Sequence, residues 1–177
     1  MGYSKLEKNL IDLMKEEQAK LGYRKEAVRL YYPLSSLNHL FEAEDSVDAM
    51  QERLIHFPED MTAKLGMLTV THKGDRFCFR IPEEGSEYVH EHMGANEFIK
   101  ELVEMLWQHG TTMEQIRALF DRHADDVICE NIDNGEFDYL LRFPESVGDP
   151  YYYCFKNEGC HIIYHRFLPE DYADFDF

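Results

Sequence analysis

The chain has 177 residues, which suits one folded domain, and 44% of them are hydrophobic, enough to exclude wholesale disorder. Asp and Glu outnumber Lys and Arg by 35 to 18, so the formal net charge is −17. This balance argues against a protein that binds by neutralising phosphates, and we expect no nucleic-acid binding.

The sequence shows no signal for a membrane or a secretory pathway. No stretch approaches the roughly 20 consecutive apolar residues of a membrane helix, and residues 1–8 lack the apolar core of a signal peptide. The four cysteines have no zinc-type spacing, which is typical of reduced thiols. We therefore expect a cytosolic protein without membrane association.

Charge is distributed unevenly along the chain. Residues 1–33 hold seven Lys and Arg against five Asp and Glu, whereas the remainder holds eleven bases against thirty acids and a net charge of −19. The N-terminal segment is therefore attracted to the rest of the molecule or to a partner, and pairing within the molecule is the favoured interpretation.

The first third of the chain predicts three helices and a strand. A capping-box signature at Ser4 opens an amphipathic helix that ends near Gly22. Residues 27–32 favour a strand and 34–41 a helix; another helix begins at Asp45 or Ser46 and ends before Pro58.

A hairpin is predicted over residues 66–82. With Gly74-Asp75 as a two-residue loop, Lys73 pairs with Arg76, and an apolar face separates from a mostly polar one. Two helices then follow, one from Asn96 to Gly110 and one from the overlapping capping boxes at residues 111–115.

Two more hairpins complete the pattern. Asn134-Gly135 predicts a type I′ turn in a hairpin over 127–143, with Ile128, Ile132, Phe137 and Leu141 on one face. The last hairpin covers 151–167. With Asn157-Glu158 as its loop, Cys154 lies opposite His161 and cannot reach Cys160; a loop over 156–158 would instead bring the two cysteines together.

These elements predict an α+β fold in which an antiparallel sheet of hairpins packs against several helices. We expect a single α+β domain over residues 1–168. Residues 169–177 alternate acids with aromatic residues and carry no base, so they are predicted to form a mobile end or a short binding motif.

One histidine pair suggests a metal site. On a strand, His90 and His92 would project to the same side about 7 Å apart, a workable spacing for two ligands. A short helix from Ser86 to Gly94 is favoured instead, and it would group Glu87, His90 and Glu91 on one face. An acidic turn with two histidines needs no metal, so a solvated surface is the favoured interpretation of Glu87, His90, Glu91 and His92.

The run Tyr151-Tyr152-Tyr153 gives both faces of the last hairpin aromatic area. If the face opposite the helices is uncovered, a binding patch results; burial beneath the N-terminal helix is the favoured alternative. The patch would consist of Tyr152, Ile163, His165 and Phe167.

No phosphate-binding loop or serine nucleophile motif is present, and no pattern indicates a cofactor. The segments from Asp125 to Tyr139 and from Tyr151 to Arg166 resemble an uncharacterised domain family from Firmicutes. That resemblance implies a bacterial cytosolic origin and carries over no functional residues.

We interpret the sequence as an acidic cytosolic binding or interaction protein, with a basic protein as the expected partner. A small metal-dependent hydrolase at the histidine pair is one alternative. An immunity-type or nucleic-acid-mimicking inhibitor of a basic target is another. An enzyme is the less favoured class, and the sequence does not indicate an oligomeric state.

Overall fold

A computed structural model describes residues 2–175 of the chain. Its contacts cluster into two compact units, the first ending at Glu97 and the second beginning at Phe98. Within the described residues there are eight α-helices and two antiparallel sheets, so the predicted α+β class is confirmed. The three predicted hairpins are divided between the two sheets.

The first unit has a three-stranded sheet in the order β1-β3-β2. Its elements are α1 (Ser4–Leu21), β1 (Val28–Pro33), α2 (Leu34–Phe41), α3 (Val47–Arg53), α4 (Phe57–Leu65), β2 (Thr69–Lys73), β3 (Arg76–Ile81) and α5 (Glu83–His92).

The hairpin of β2 and β3 has the predicted register, since Lys73 pairs with Arg76 and Thr69 with Arg80. Its apolar face packs into the core of the first unit, where the Phe79 ring lies 5.8 Å from that of Phe57 and 5.2 Å from that of Tyr32. The Tyr32 hydroxyl donates to Asn9 Oδ1 of α1 at 2.7 Å. Helix α1 is also held by ion pairs from Lys5 to Glu42 and from Glu7 to Lys64.

The sequence pattern missed α4. The preceding helix ends before Pro58, as predicted, but Pro58 itself lies in the first turn of α4, where a missing N–H costs no helical hydrogen bond. Helix α5 also begins earlier than Ser86, at Glu83.

The second unit has a four-stranded sheet in the order β4-β5-β6-β7. Its elements are α6 (Glu97–Leu106), α7 (Met113–His123), β4 (Ile128–Asn131), β5 (Tyr139–Arg142), a 3₁₀ turn (Glu145–Val147), β6 (Tyr152–Asn157), β7 (Ile162–Phe167) and α8 (Pro169–Ala173).

The predicted register of the β4–β5 hairpin is wrong by one residue. A two-residue loop would pair Ile128 with Leu141, whereas Ile128 pairs with Arg142. The backbone N–H groups of Ile132 and Asp133 both donate to Asp138 O, and Asp133 has a φ of 34°. This bulge moves Leu141 to the opposite face from the one predicted.

The predicted register of the β6–β7 hairpin is wrong by four residues. Asn157 pairs with Ile162, and the Glu158 backbone N–H donates to His161 O, so the two-residue turn falls at Gly159-Cys160 instead of Asn157-Glu158. Cys154 therefore lies opposite His165 rather than His161. The even shift leaves every side chain on its predicted face. Cys160 lies in the loop, and both it and Cys154 are free thiols.

Helices α6 and α7 pack on one face of the second sheet. The Phe98 ring contacts those of Phe120, Phe143 and Tyr153 at centroid distances of 4.7, 4.9 and 5.6 Å. On the other face, Leu140, Cys154 and Phe167 form a smaller buried cluster. The second sheet is therefore apolar on both faces.

Part of the predicted tail is structured. Helix α8 places the Tyr172 ring 5.5 Å from that of Tyr152, and the Phe175 ring lies 4.9 Å from that of Phe167. Residues 169–175 thus pack on the second sheet because their aromatic residues bury against it. Asp176 and Phe177 lie outside the described residues.

Candidate functional site

The histidine pair lies at the end of α5, as the helical interpretation predicts. The His90 ring stacks on Tyr23 at 4.0 Å, and the His92 ring stacks on Tyr88 at 4.7 Å. Glu87 forms an ion pair with Lys25, with 3.8 Å between Nζ and Oε1. Each imidazole thus contacts a separate tyrosine.

No metal-ligating group is assembled from these side chains. Within residues 2–175, no three His, Cys, Asp or Glu side chains are placed to hold a metal ion together. Glu91 and His92 are exposed on the helix surface. The hydrolase at Glu87, His90, Glu91 and His92 stays a prediction without an assembled ligand set.

The four residues of the aromatic patch share one face of the β6–β7 hairpin. Tyr152 lies opposite Phe167, while Ile163 and His165 follow on the same face. Their exposure differs, because α8 and Phe175 cover one end: Phe167 is 6% exposed, whereas Ile163 is 44% exposed. Phe167 is therefore not an accessible part of the predicted patch, and the accessible part is Ile163 with His165.

Tyr152 also lines a cavity of about 440 Å³ in the second unit. The Arg142 guanidinium lies 5.4 Å from the Tyr152 ring. Asp149 accepts hydrogen bonds from the Tyr153 hydroxyl at 2.7 Å and from the Tyr151 backbone N–H at 3.0 Å. Burial, followed by the charge of Asp149, raises the pKa of Tyr153 well above its ordinary value.

A larger opening of about 590 Å³ lies in the first unit, between α3 and β2; we call it the β2 groove. Its lining combines buried apolar side chains with carboxylates and a histidine. The lining residues are Asp48, Gln51, Glu52, Leu54, Ile55, Pro58, Val70, Thr71, His72 and Phe77.

The floor and the rim of the β2 groove differ in chemistry. Leu54 and Phe77 are almost fully buried, whereas Ile55 is 66% exposed at the rim. Asp48 and Glu52 are exposed and lie one helical turn apart on α3. Among the described residues that line the groove there is no Lys or Arg, so the rim is negatively charged.

His72 connects the two walls of the groove. Its Nε2 lies 3.3 Å from Gln51 Oε1 on α3, and its Nδ1 lies 3.2 Å from the carbonyl oxygen of Gly74. The imidazole ring is 5.3 Å from the Phe77 ring below it. Sequence reasoning missed this groove, because its two walls come from separate segments and neither segment carries a recognisable binding motif.

One cysteine lies beside a histidine. Cys160 Sγ is 3.1 Å from His161 Nδ1, and His161 Nε2 is 3.2 Å from Glu158 Oε2. All three side chains are exposed on the β6–β7 loop, and none lines either cavity described above. Cys160, His161 and Glu158 are thus arranged like a nucleophile, a base and an orienting carboxylate. Neither cavity lies beside them to enclose a substrate, so the geometry does not form an active site.

The geometry describes an α+β protein with an acidic groove beside one sheet and an aromatic face on the other. The chain belongs to the family described as "Domain of unknown function, E. rectale Gene description (DUF3877)", whose model matches residues 3–175. This confirms the resemblance to an uncharacterised Firmicutes domain family. No curated protein and no solved structure matches the chain.

None of the helices within residues 2–175 combines the length and the apolar character needed to cross a membrane.

Proposed function

We propose that the protein is an acidic cytosolic interaction protein that binds a basic segment of a protein partner in the β2 groove. The observation that carries the proposal is the pairing of an apolar floor with the Asp48 and Glu52 carboxylates on one open surface. An interface of this kind takes an aliphatic side chain on its floor and a cation at its rim.

The charge of the whole chain supports the same choice. A net charge of −17 attracts a basic segment from a distance and repels acidic ones, which raises the association rate at low salt. The groove volume of about 590 Å³ accommodates a few side chains of a partner. The long-range attraction of the whole chain and the contacts in the groove would therefore both favour a basic partner segment.

The inhibitor alternative uses the same chemistry, since an inhibitor of a basic target would also bind through carboxylates. The two differ in what binding does to the partner's activity. No observation in the described residues favours the hydrolase alternative over binding.

The proposal is tested by fluorescence anisotropy with a labelled ten-residue peptide. Every second residue of the peptide is threonine, and the intervening residues alternate between lysine and valine. Binding is expected at 25 mM salt and is expected to be lost toward 0.5 M, where the Debye length falls to about 4 Å. A peptide with glutamate in place of lysine should not bind.

A matched pair of variants separates the groove from general charge. Asp48→Asn with Glu52→Gln removes two charges at the groove, and Glu104→Gln with Asp125→Asn removes two exposed charges elsewhere. The groove variant should weaken binding about 3- to 10-fold, and the control variant less than 2-fold. Equal losses in both variants, or no binding of the lysine peptide, would contradict the proposal.

A further inference from the structure

Strand β2 is the edge strand beside the groove. The sheet order is β1-β3-β2, so among the described residues β2 pairs only with β3. An edge strand presents a row of backbone N–H and C=O groups that another chain can pair with. The outer side of β2 is therefore a template for one more strand.

The β2 edge lacks the usual protection against pairing. Its ladder with β3 runs from Thr69 to Lys73 without a bulge, and within β2 there is no proline and only the terminal lysine is charged. The opposite edge of the same sheet, β1, carries Arg29 and ends at Pro33. Of the two edges, β2 is the one that remains open to an added strand.

The groove lies on one face of this same strand. Val70 lies opposite Phe79 and His72 opposite Phe77, so Val70, His72 and Phe77 point to the groove side. A strand added about 4.8 Å beyond β2 would send every second side chain over the groove, at intervals of about 7 Å. Its other side chains would lie on the opposite face, where Thr69 pairs with Arg80 and the surface is polar.

We propose that the partner segment binds by β-strand addition to β2, an inference that rests on the proposed function of the groove. The occupant is an extended segment of about five residues in which groove-facing positions alternate between basic and aliphatic side chains. The basic residues face Asp48 and Glu52, and an aliphatic residue covers Ile55. Backbone hydrogen bonds supply affinity, and the alternating side chains supply specificity.

The test is an N-methyl scan of the same lysine–valine–threonine peptide, with one backbone N–H replaced at a time. N-methylation removes a hydrogen-bond donor and leaves the peptide's charge unchanged. Strand addition predicts a loss of about 5- to 10-fold at alternate positions near the centre and little change at the positions between them.

Hydrogen exchange on the intact protein provides the second readout. Bound peptide should slow amide exchange within Thr69–Lys73 and leave the exchange of β1 unchanged. If the peptide binds with the groove-variant losses given above but the scan shows no alternation and β2 is not protected, strand addition is overturned and the proposed function stands. If the peptide does not bind at all, the proposed function itself fails.

Discussion

The second unit has a buried and an exposed cysteine within a few residues of each other. Cys154 is fully buried against Leu140 and Phe167, whereas Cys160, six residues later, lies on an exposed loop. Burial raises the pKa of the Cys154 thiol to about 12, because the charged thiolate loses its water. The two thiols should therefore differ in reactivity.

We expect iodoacetamide to label Cys129 and Cys160 in the folded protein at pH 8.5 and to leave Cys154 unmodified. Peptide mapping by mass spectrometry measures the labelled fraction at each cysteine. After unfolding in urea, all three should label at similar rates. Labelling of Cys154 in the folded protein as fast as Cys160 would contradict the burial described here.

Asp138 joins the start of β5 to the end of β6 through two hydrogen bonds. Its Oδ2 accepts from the Asn157 backbone N–H at 2.8 Å, and its Oδ1 accepts from Lys156 Nζ at 3.3 Å. The Asn157 N–H, together with the Lys156 ammonium, lowers the pKa of Asp138 in spite of partial desolvation. The ionised carboxylate is thus favoured in the folded state.

A folded pKa below the unfolded value of about 3.9 stabilises the protein above that pH, and the stabilisation is lost as the pH falls through the folded pKa. Asp138→Asn should therefore cost about 1–2 kcal/mol of unfolding free energy at pH 7, and the cost should shrink as the pH falls through the folded pKa of Asp138. Asp133→Asn is the control, since Asp133 is exposed and asparagine tolerates its positive φ. Urea unfolding at several pH values measures both, and a pH-independent cost would contradict this role.

Among the secondary-structure elements, the contact of α5 with the end of α4 depends on a glycine. A Cβ atom at Gly85 would lie 2.4 Å from the carbonyl oxygen of Leu65 and 2.5 Å from Ile81 Cγ2. The close approach lets α5 follow β3 directly and pack on α4. Backbone oxygen cannot move away without shifting the helix end.

Gly85→Ala should destabilise the first unit by about 1–3 kcal/mol, because added volume in a closed contact forces the backbone to shift. The gain in helix propensity offsets at most about 1 kcal/mol. Glu84→Ala, at an exposed position of the same helix, should change the stability by less than about 0.5 kcal/mol. Urea unfolding measures the stability of both variants. Equal unfolding free energies would contradict the prediction and show that the end of α4 moves to accommodate the added methyl group.

Helix α8 covers part of one face of the second sheet. This five-residue helix is too short to be stable alone, and it is held by ring contacts from Tyr172 to Tyr152 at 5.5 Å and to Phe167 at 6.0 Å. Its removal would leave the apolar face of β6 and β7 uncovered.

Tyr172→Ala should speed amide hydrogen exchange in β6 and β7 about 5- to 30-fold, which corresponds to a loss of about 1–2 kcal/mol. Glu170→Ala, an exposed position on the same helix, should leave exchange in both strands close to that of the parent protein. Exchange unchanged in Tyr172→Ala would mean that α8 does not protect this face.

For the whole molecule, the proposed choice of partner rests on charge. Residues 1–33 carry a small positive excess, and ion pairs such as Lys5 with Glu42 and Lys25 with Glu87 use it within the first unit. The remaining acidic excess gives the whole chain a net charge of −17, which acts on other molecules. Such a molecule attracts cations and repels polyanions.

We therefore expect no binding to a labelled 20-base-pair DNA duplex at 0.15 M salt up to about 100 µM protein, measured by fluorescence anisotropy. The lysine–valine–threonine peptide serves as the positive control at low salt. Tight DNA binding at physiological salt would show that a local basic surface outweighs the total charge.

Short-range signals predicted the elements of this protein well. The Gly74-Asp75 loop and the alternating pattern around it predicted the β2–β3 register correctly, because a two-residue turn leaves one pairing possible. The faces of the β6–β7 hairpin were also predicted, even though its register was not, since alternation survives any even shift.

Features that depend on more distant groups were not predicted. The bulge at Asp133 arises where Asp138 O accepts two N–H groups, and the sequence signal of Asn134-Gly135 is compatible with a regular turn as well. The sequence predicted the helix that carries His90 and His92, but not the stacking of their rings on Tyr23 and Tyr88. The β2 groove had no motif at all.

The sequence by itself determined the α+β class, the faces of the β2–β3 and β6–β7 hairpins and the acidic character of the molecule, because turn chemistry, periodicity and charge are properties of neighbouring residues. Only the tertiary structure decided that the hairpins divide between two sheets, that β2 is an open edge and that Asp48 and Glu52 stand beside it. Strand order and groove walls depend on packing between residues tens of positions apart, and no local pattern records which of those contacts has the lowest free energy.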